Sequence, residues 1–112
     1  MFKRQNRLPR GVGFYNSNFF STPFFVLKVK GNGLIVNRFG IVVSKKIDKR
    51  STVRNKIKRI FRSILIDLNK DIISGQDMLF IVKKEILNKT NNKIDLQIRG
   101  VLEKARLINR LK

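Results

Sequence analysis

The sequence predicts a single α+β domain, and three observations predict it. Two segments carry apolar residues at helical spacing. Shorter apolar runs between turn signals read as strands. The 112 residues suffice for one modest core under a sheet of about three or four strands, and little more. The predicted order is α-β-β-(β)-α-β-α, with residues 1–112 as one domain and no repeat, linker or low-complexity segment.

Residues 1–13 form a basic, turn-rich arm, with Lys3, Arg4, Arg7 and Arg10 around Pro9, Gly11 and Gly13. A frayed, solvated arm and an arm that touches a polyanion are both open readings. A short helical turn is expected from Phe14 to Phe20. Phe24 to Lys30 alternates loosely and reads as a strand. Gly31-Asn32-Gly33 is a turn signal, which makes this strand and the next antiparallel neighbours. That next strand runs from Leu34 to Asn37 and on from Phe39 to Ser44, with a bend near Asn37. Asp48 to Thr52 is a polar loop with Ser51 or Thr52 as candidate helix cap. Ile57, Ile60, Phe61, Ile64, Leu65 and Leu68 then recur at i, i+3, i+4, i+7, i+8 and i+11, one continuous apolar stripe. Gly75 breaks the chain beyond it, and Met78 to Val82 suits a buried central strand. Thr90 to Asn92 caps a last helix with the stripe Ile94, Ile98, Val101, Leu102, Ala105 and Ile108. Most of the phenylalanines at 19, 20, 24 and 25 are assigned to the core, with a base-stacking platform as the alternative.

Charge narrows the function. Lys and Arg number 26 against 7 Asp and Glu, a formal net of +19. Such self-repulsion burdens a compact state unless a polyanion relieves it. Nucleic acid is the obvious partner and an anionic membrane surface the weaker one. At 42% hydrophobic, the chain is not a disordered basic tail. With no Cys and no His, disulfides, zinc-finger spacings and His-based acid–base pairs are excluded. The run from Phe19 to Leu27 is too short to span a bilayer, so a cytoplasmic location is expected.

The cations gather on the first long helix. Arg54, Lys58 and Arg62 repeat every four residues and stack on one face, with Asn55 and Arg59 beside them and Lys56 on the flank. Lys45, Lys46, Lys49 and Arg50 immediately precede them, and only Asp48 opposes the group. A solvated helix mixes signs for i,i+4 pairing; this one does not. Its cations also crowd the N-terminal half, where the helix dipole disfavours them. The pattern makes sense where phosphates meet side-chain charge and backbone N–H groups together. Asn55 can offer a donor and an acceptor to a base edge, a 2′-hydroxyl or a metal-bound water. Asp67 and Asp71 lie four apart near the helix exit and read as exposed polar positions.

The run Arg38-Phe39-Gly40-Ile41-Val42-Val43-Ser44-Lys45-Lys46, a short basic loop, then Arg54-Asn55-Lys56-Ile57-Lys58-Arg59-Ile60-Phe61-Arg62 resembles the bacterial ribonuclease P protein family. The resemblance extends to element order, length and a basic N-terminal stretch before Phe14. It implies a mixed four-stranded sheet packed on helices. It also implies a left-handed crossover that joins two parallel strands through the cationic helix, a rare hand. As implied function, the protein assists a catalytic RNA that removes the 5′ leader from precursor tRNA. The RNA subunit would hold the Mg2+ ions, with no metal or catalytic group on the protein. Lys45, Lys46, Lys49, Arg50, Arg54, Asn55, Lys56, Lys58, Arg59 and Arg62 would bind that RNA. Phe14, Lys28 and Val42 would line a cleft for the leader, and Lys3, Arg4 and Arg7 would add a basic arm. No membrane and no protein partner are implied.

The chain departs from the family pattern at named positions. Lys56 replaces the second Arg of Arg-Asn-Arg. The segment after Phe14 is several residues short, and Asn18 stands where a second cleft aromatic is usual. Lys28 falls where some members carry Tyr, and Val42 where a small polar residue is common. The alternatives are a structural rRNA-binding (ribosomal) protein, a membrane-surface or nucleoid-binding module, and a nuclease acting alone. The missing histidines and sparse carboxylates disfavour the last.

Overall fold

A computed structural model describes residues 2–108. Four strands form one sheet: β1 (Asn18–Ser21), β2 (Phe25–Gly31), β3 (Arg38–Val42) and β4 (Gln76–Val82). Two α-helices, α1 (Ser51–Leu68) and α2 (Asn91–Lys104), complete the core. The sheet order is β1-β2-β4-β3, with β1–β2 and β2–β4 antiparallel and β3–β4 parallel. The mixed α+β architecture is therefore the expected one, and α1 joins the two parallel strands.

Alternation along the strands divides the sheet into two faces. Phe25, Leu27 and Val29 of β2, Met78, Phe80 and Val82 of β4, and Phe39 of β3 are buried on one face. The α1 stripe covers it with Ile57, Phe61, Leu65 and Leu68, and α2 adds Ile94, Ile98, Val101 and Leu102. The centre is an aromatic triad. Phe25 meets Phe61 at 5.6 Å and Phe80 at 5.4 Å between ring centroids, and Phe61 meets Phe80 at 5.8 Å. Edge-to-face pairs of this kind add to the area they bury.

Several expectations need correction. Phe14 to Phe20 is not a helical turn. A turn closes where the Ser17 N–H donates to the Phe14 carbonyl, and Asn18–Ser21 is then the edge strand β1. Among the described residues, the only helical element ahead of β1 is a 3-10 turn, Arg4–Asn6. A tight turn at Thr22-Pro23-Phe24 forms the β1–β2 hairpin, with the Thr22 hydroxyl oxygen accepting from the N–H groups of Phe24 and Phe25. β2 and β3 are not neighbours, because β4 inserts between them. Gly31-Asn32-Gly33 therefore opens a loop across the start of β4 rather than a hairpin, and Leu34 to Asn37 is not strand. Asn32 holds that loop: its backbone N–H donates to the Gly75 carbonyl, and its side chain bonds Leu34, Val36 and Asp77. Gly75 sits at φ +84, and a Cβ there would meet the Leu34 carbonyl oxygen at 2.8 Å.

Helix ends differ from expectation in two places. Neither Ser51 nor Thr52 caps α1; Arg50 is the N-cap, and its side chain makes no capping hydrogen bond. Thr90 does cap α2, accepting from the Lys93 N–H at 3.2 Å. α2 stops at Lys104, short of Ile108. Arg106 takes φ +59, and the bonds Leu107 N–H to Leu102 and Arg106 N–H to Glu103 close a Schellman motif. The chain then turns back, and Ile108 bridges Ile72.

The basic arm is not frayed. Phe2 is buried and stacks on Phe39 at 5.2 Å. Asn6 donates to the Asn37 carbonyl at 2.7 Å, and Arg7 forms a parallel bridge with Phe39 along the β3 edge.

Candidate nucleic-acid interface

The cations of α1 divide by helical angle into three groups. Arg54, Lys58 and Arg62 lie half-buried along one flank, Asn55 and Arg59 point outward, and Lys56 is exposed toward the loop before α2. Lys58 and Arg62 share a cleft of about 530 Å³ with Arg7 and Arg10, floored by Phe2, Leu8 and Phe39. Pinning the arm to β3 thus places two of its cations opposite two from the helix. Arg10, named in the basic arm but not among its expected RNA-contacting residues, gains its partners through the Arg7–Phe39 bridge. Lys3 and Arg4 are exposed on the 3-10 turn and its flank.

At the helix N-terminus, Lys45, Lys46, Lys49 and Arg50 are exposed on the incoming loop. Asp48 accepts from the Arg50 backbone N–H at 2.8 Å and from its guanidinium at 3.1 and 2.9 Å. These Arg50 bonds hold the Asp48 carboxyl at about 2. No acidic side chain lies in the first turn of α1, so positive charge and the positive end of the helix dipole coincide there.

The second sheet face has no helix upon it. Phe19, Lys28, Leu79 and Gly40 form one row across β1-β2-β4-β3, with Ser21, Val26, Ile81 and Val42 in the next. Lys28 and Val42, both singled out from sequence, therefore share this open face. Phe14 stands at its margin, with the Lys30 ammonium 5.3 Å from its ring centroid. Of the four clustered phenylalanines, mostly assigned to the core from sequence, Phe24 and Phe25 are buried and Phe20 packs on the core, while Phe19 is 68% exposed opposite Lys28.

A third row ends the face at Lys30, Asp77 and Arg38. Asp77 is 1% exposed and accepts from Arg38 at 2.8 and 2.8 Å and from Asn32 at 2.9 Å. Burial pushes its carboxyl up, but the Arg38 and Asn32 hydrogen bonds outweigh burial and hold it below the usual range. Asp67 and Asp71 are exposed, as expected. A cleft of about 510 Å³ at the far end of α1 is lined by amides and apolar side chains, with Lys3 and Lys70 its only cations. Among the described residues, no three metal-ligating side chains cluster, and no helix is long and apolar enough to cross a membrane.

The Ribonuclease P family profile matches residues 2–106. A ribonuclease P protein component of Clostridium botulinum is 37% identical over 91 residues, which covers 80% of this chain and 81% of that protein. One from Clostridium kluyveri is 38% identical over 91 residues, covering 79% and 80%. The solved structure of the Staphylococcus aureus RNase P protein superposes with a TM-score of 0.83 at 26% identity, covering 93% of this chain and 98% of that one.

Proposed function

This chain belongs to the ribonuclease P protein family, and from that premise we propose which of its surfaces meet RNA and how they assist catalysis. The chain is a protein subunit of the tRNA-processing endoribonuclease ribonuclease P and associates with its RNA. The finer reading rests on one observation above all. Cations from α1, from the loop before it and from the pinned arm gather together, with Asp48 the one carboxylate between residues 45 and 62.

In this reading, Lys45, Lys46, Lys49, Arg50, Lys58, Arg59 and Arg62 neutralise phosphates of the catalytic RNA. Arg7 and Arg10 add the far wall of the cleft, with Lys3 and Arg4 beside them. Arg grips phosphate with a planar fork, and Lys acts as a point charge. Lys56 keeps charge without the fork, and Asn55 offers paired donor and acceptor to a base edge or 2′-hydroxyl. Arg54 belongs to the same region. The open sheet face takes the single-stranded 5′ leader of precursor tRNA. Phe19 supplies an exposed ring for stacking, Lys28 a phosphate contact, and Phe14 and Val42 the apolar margins.

The protein supplies binding and position, and the RNA holds the Mg2+ ions that carry out hydrolysis. The donor chemistry of this chain suits that division: it has no His or Cys, and Asp48, Asp77 and Asp95 are each engaged by an arginine. We place the work in the cytoplasm, with no membrane and no further protein required.

Titration of labelled catalytic RNA across a range of salt tests the interface. Arg59→Ala is expected to weaken binding and to lower the slope of log K against log salt by about 0.7–0.9, one phosphate contact. An unchanged slope would remove Arg59 from the interface.

A further inference from the structure

Arg54 is spaced as one more phosphate-facing cation, but its hydrogen bonds assign it a different task. Its Nη1 donates to the Asp48 carbonyl at 3.0 Å and to the Lys49 carbonyl at 2.8 Å. Both hydrogens of that nitrogen are thus committed, which closes the end-on, two-point grip on a phosphate. The two carbonyls belong to the loop that carries Lys45, Lys46, Lys49 and Arg50. Asp48 fixes the same loop from within, through its carboxylate bonds to the Arg50 backbone and guanidinium.

Asp48 needs an explanation of its own. It is the only carboxylate from residue 45 to residue 62, and its side chain is 14% exposed. A surface built on charge alone would omit it, since it repels the RNA backbone. The loop around it carries four like charges and a single buried apolar anchor, Ile47. Left to itself, such a loop repels itself open, and RNA would have to supply the ordering free energy on binding.

We propose that Arg54 and Asp48 are positioning residues, a clasp that sets the cationic loop on the end of α1 before RNA arrives. Arg54 closes the loop onto the helix through two carbonyls, and Asp48 holds Arg50 at the helix entrance. Their contribution to affinity is preorganisation. The inference rests on the RNA-binding reading of this region, and its test keeps the two apart.

The experiment compares Asp48→Ala, Arg54→Ala and Arg59→Ala in the full chain, with helix content checked by circular dichroism. RNA affinity is measured across salt, and backbone amide exchange of residues 45–50 is measured in the free protein. Asp48→Ala adds a net positive charge yet is expected to bind RNA about tenfold more weakly, the scale of losing charge-assisted hydrogen bonds. Asp48→Asn keeps an acceptor for the Arg50 N–H and is expected to lose less. Arg54→Ala is expected to lose about tenfold with the wild-type salt slope, while Arg59→Ala lowers the slope. Amides 45–50 exchange faster in Asp48→Ala and Arg54→Ala, and at the wild-type rate in Arg59→Ala. Equal or tighter binding by Asp48→Ala overturns the clasp, as does a slope change in Arg54→Ala matching that of Arg59→Ala. Unchanged exchange at 45–50 in Arg54→Ala also overturns it, whatever the binding data show. Wild-type affinity and slope in Arg59→Ala would instead count against the RNA-contact reading, leaving the clasp to be judged by exchange.

Discussion

Phe19 and Lys28 face each other across the β1–β2 pair, and together they pose the leader question at the scale of side chains. A ring 68% exposed beside a cation can stack on a base and neutralise the adjoining phosphate. Phe19→Ala is expected to cost about 1–3 kcal/mol of leader binding. The check is the affinity ratio of the assembled enzyme for precursor tRNA over mature tRNA. The ratio should fall in Phe19→Ala and Lys28→Ala, and an unchanged ratio would take the leader off the open face. Lys28 and Val42 were named through the resemblance to the family, and the strand register puts both on one face. The exposure of Phe19 was not legible, because two adjacent phenylalanines carry no period and β1 is only four residues long.

At the scale of elements, α1 was the most legible, because its apolar stripe and its cations both follow the 3.6-residue period. Phe61→Ala, which removes one ring of the central triad, is expected to destabilise the fold by about 3–5 kcal/mol in denaturant unfolding. Sheet order was illegible for a physical reason. The turn at Gly31-Asn32-Gly33 fixes only a local change of direction, while the insertion of β4 between β2 and β3 is a non-local pairing. The end of α2 was hidden similarly, since Arg106 occupies a left-handed position usually given to Gly. Arg106→Gly should raise stability by about 1 kcal/mol, read as a higher denaturation midpoint. A lower midpoint would mean that the Arg106 side chain contributes more than its backbone strain costs.

Strand β4 and the loop before α1 carry the acid response. Asp77 and Asp48 both titrate below their unfolded values in the native state. Such depressed carboxyls stabilise the fold fully above the unfolded value of about 4, and that contribution is lost as pH falls through the folded values. The thermal midpoint should therefore hold from about pH 7 to 5 and decline below about 4. Removing Arg38 would leave the buried Asp77 carboxylate without its counter-ion and held by Asn32 alone, at a cost of about 3 kcal/mol at neutral pH. An Arg38→Ala midpoint equal to wild type would show that Asp77 finds relief elsewhere.

The whole molecule places a +19 chain around a core whose two sheet faces are covered differently. One face is closed by α1 and α2, so the outward side of α1 and the pinned arm are free to meet RNA. The other stays open beside β1. Charge and composition pointed to a polyanion from the outset, yet they could not say that the arm is anchored. That required Phe2 on Phe39 and Asn6 on the Asn37 carbonyl, contacts across more than thirty residues of chain. Under the proposed function, this protein lets a catalytic RNA bind and process precursor tRNA at low magnesium. The most direct measurement combines the protein with its cognate catalytic RNA and precursor tRNA at limiting Mg2+ and follows release of the 5′ leader. Leader release should rise sharply on adding the protein, with none from the protein alone. No enhancement with the cognate RNA, or cleavage without any RNA subunit, would contradict the account.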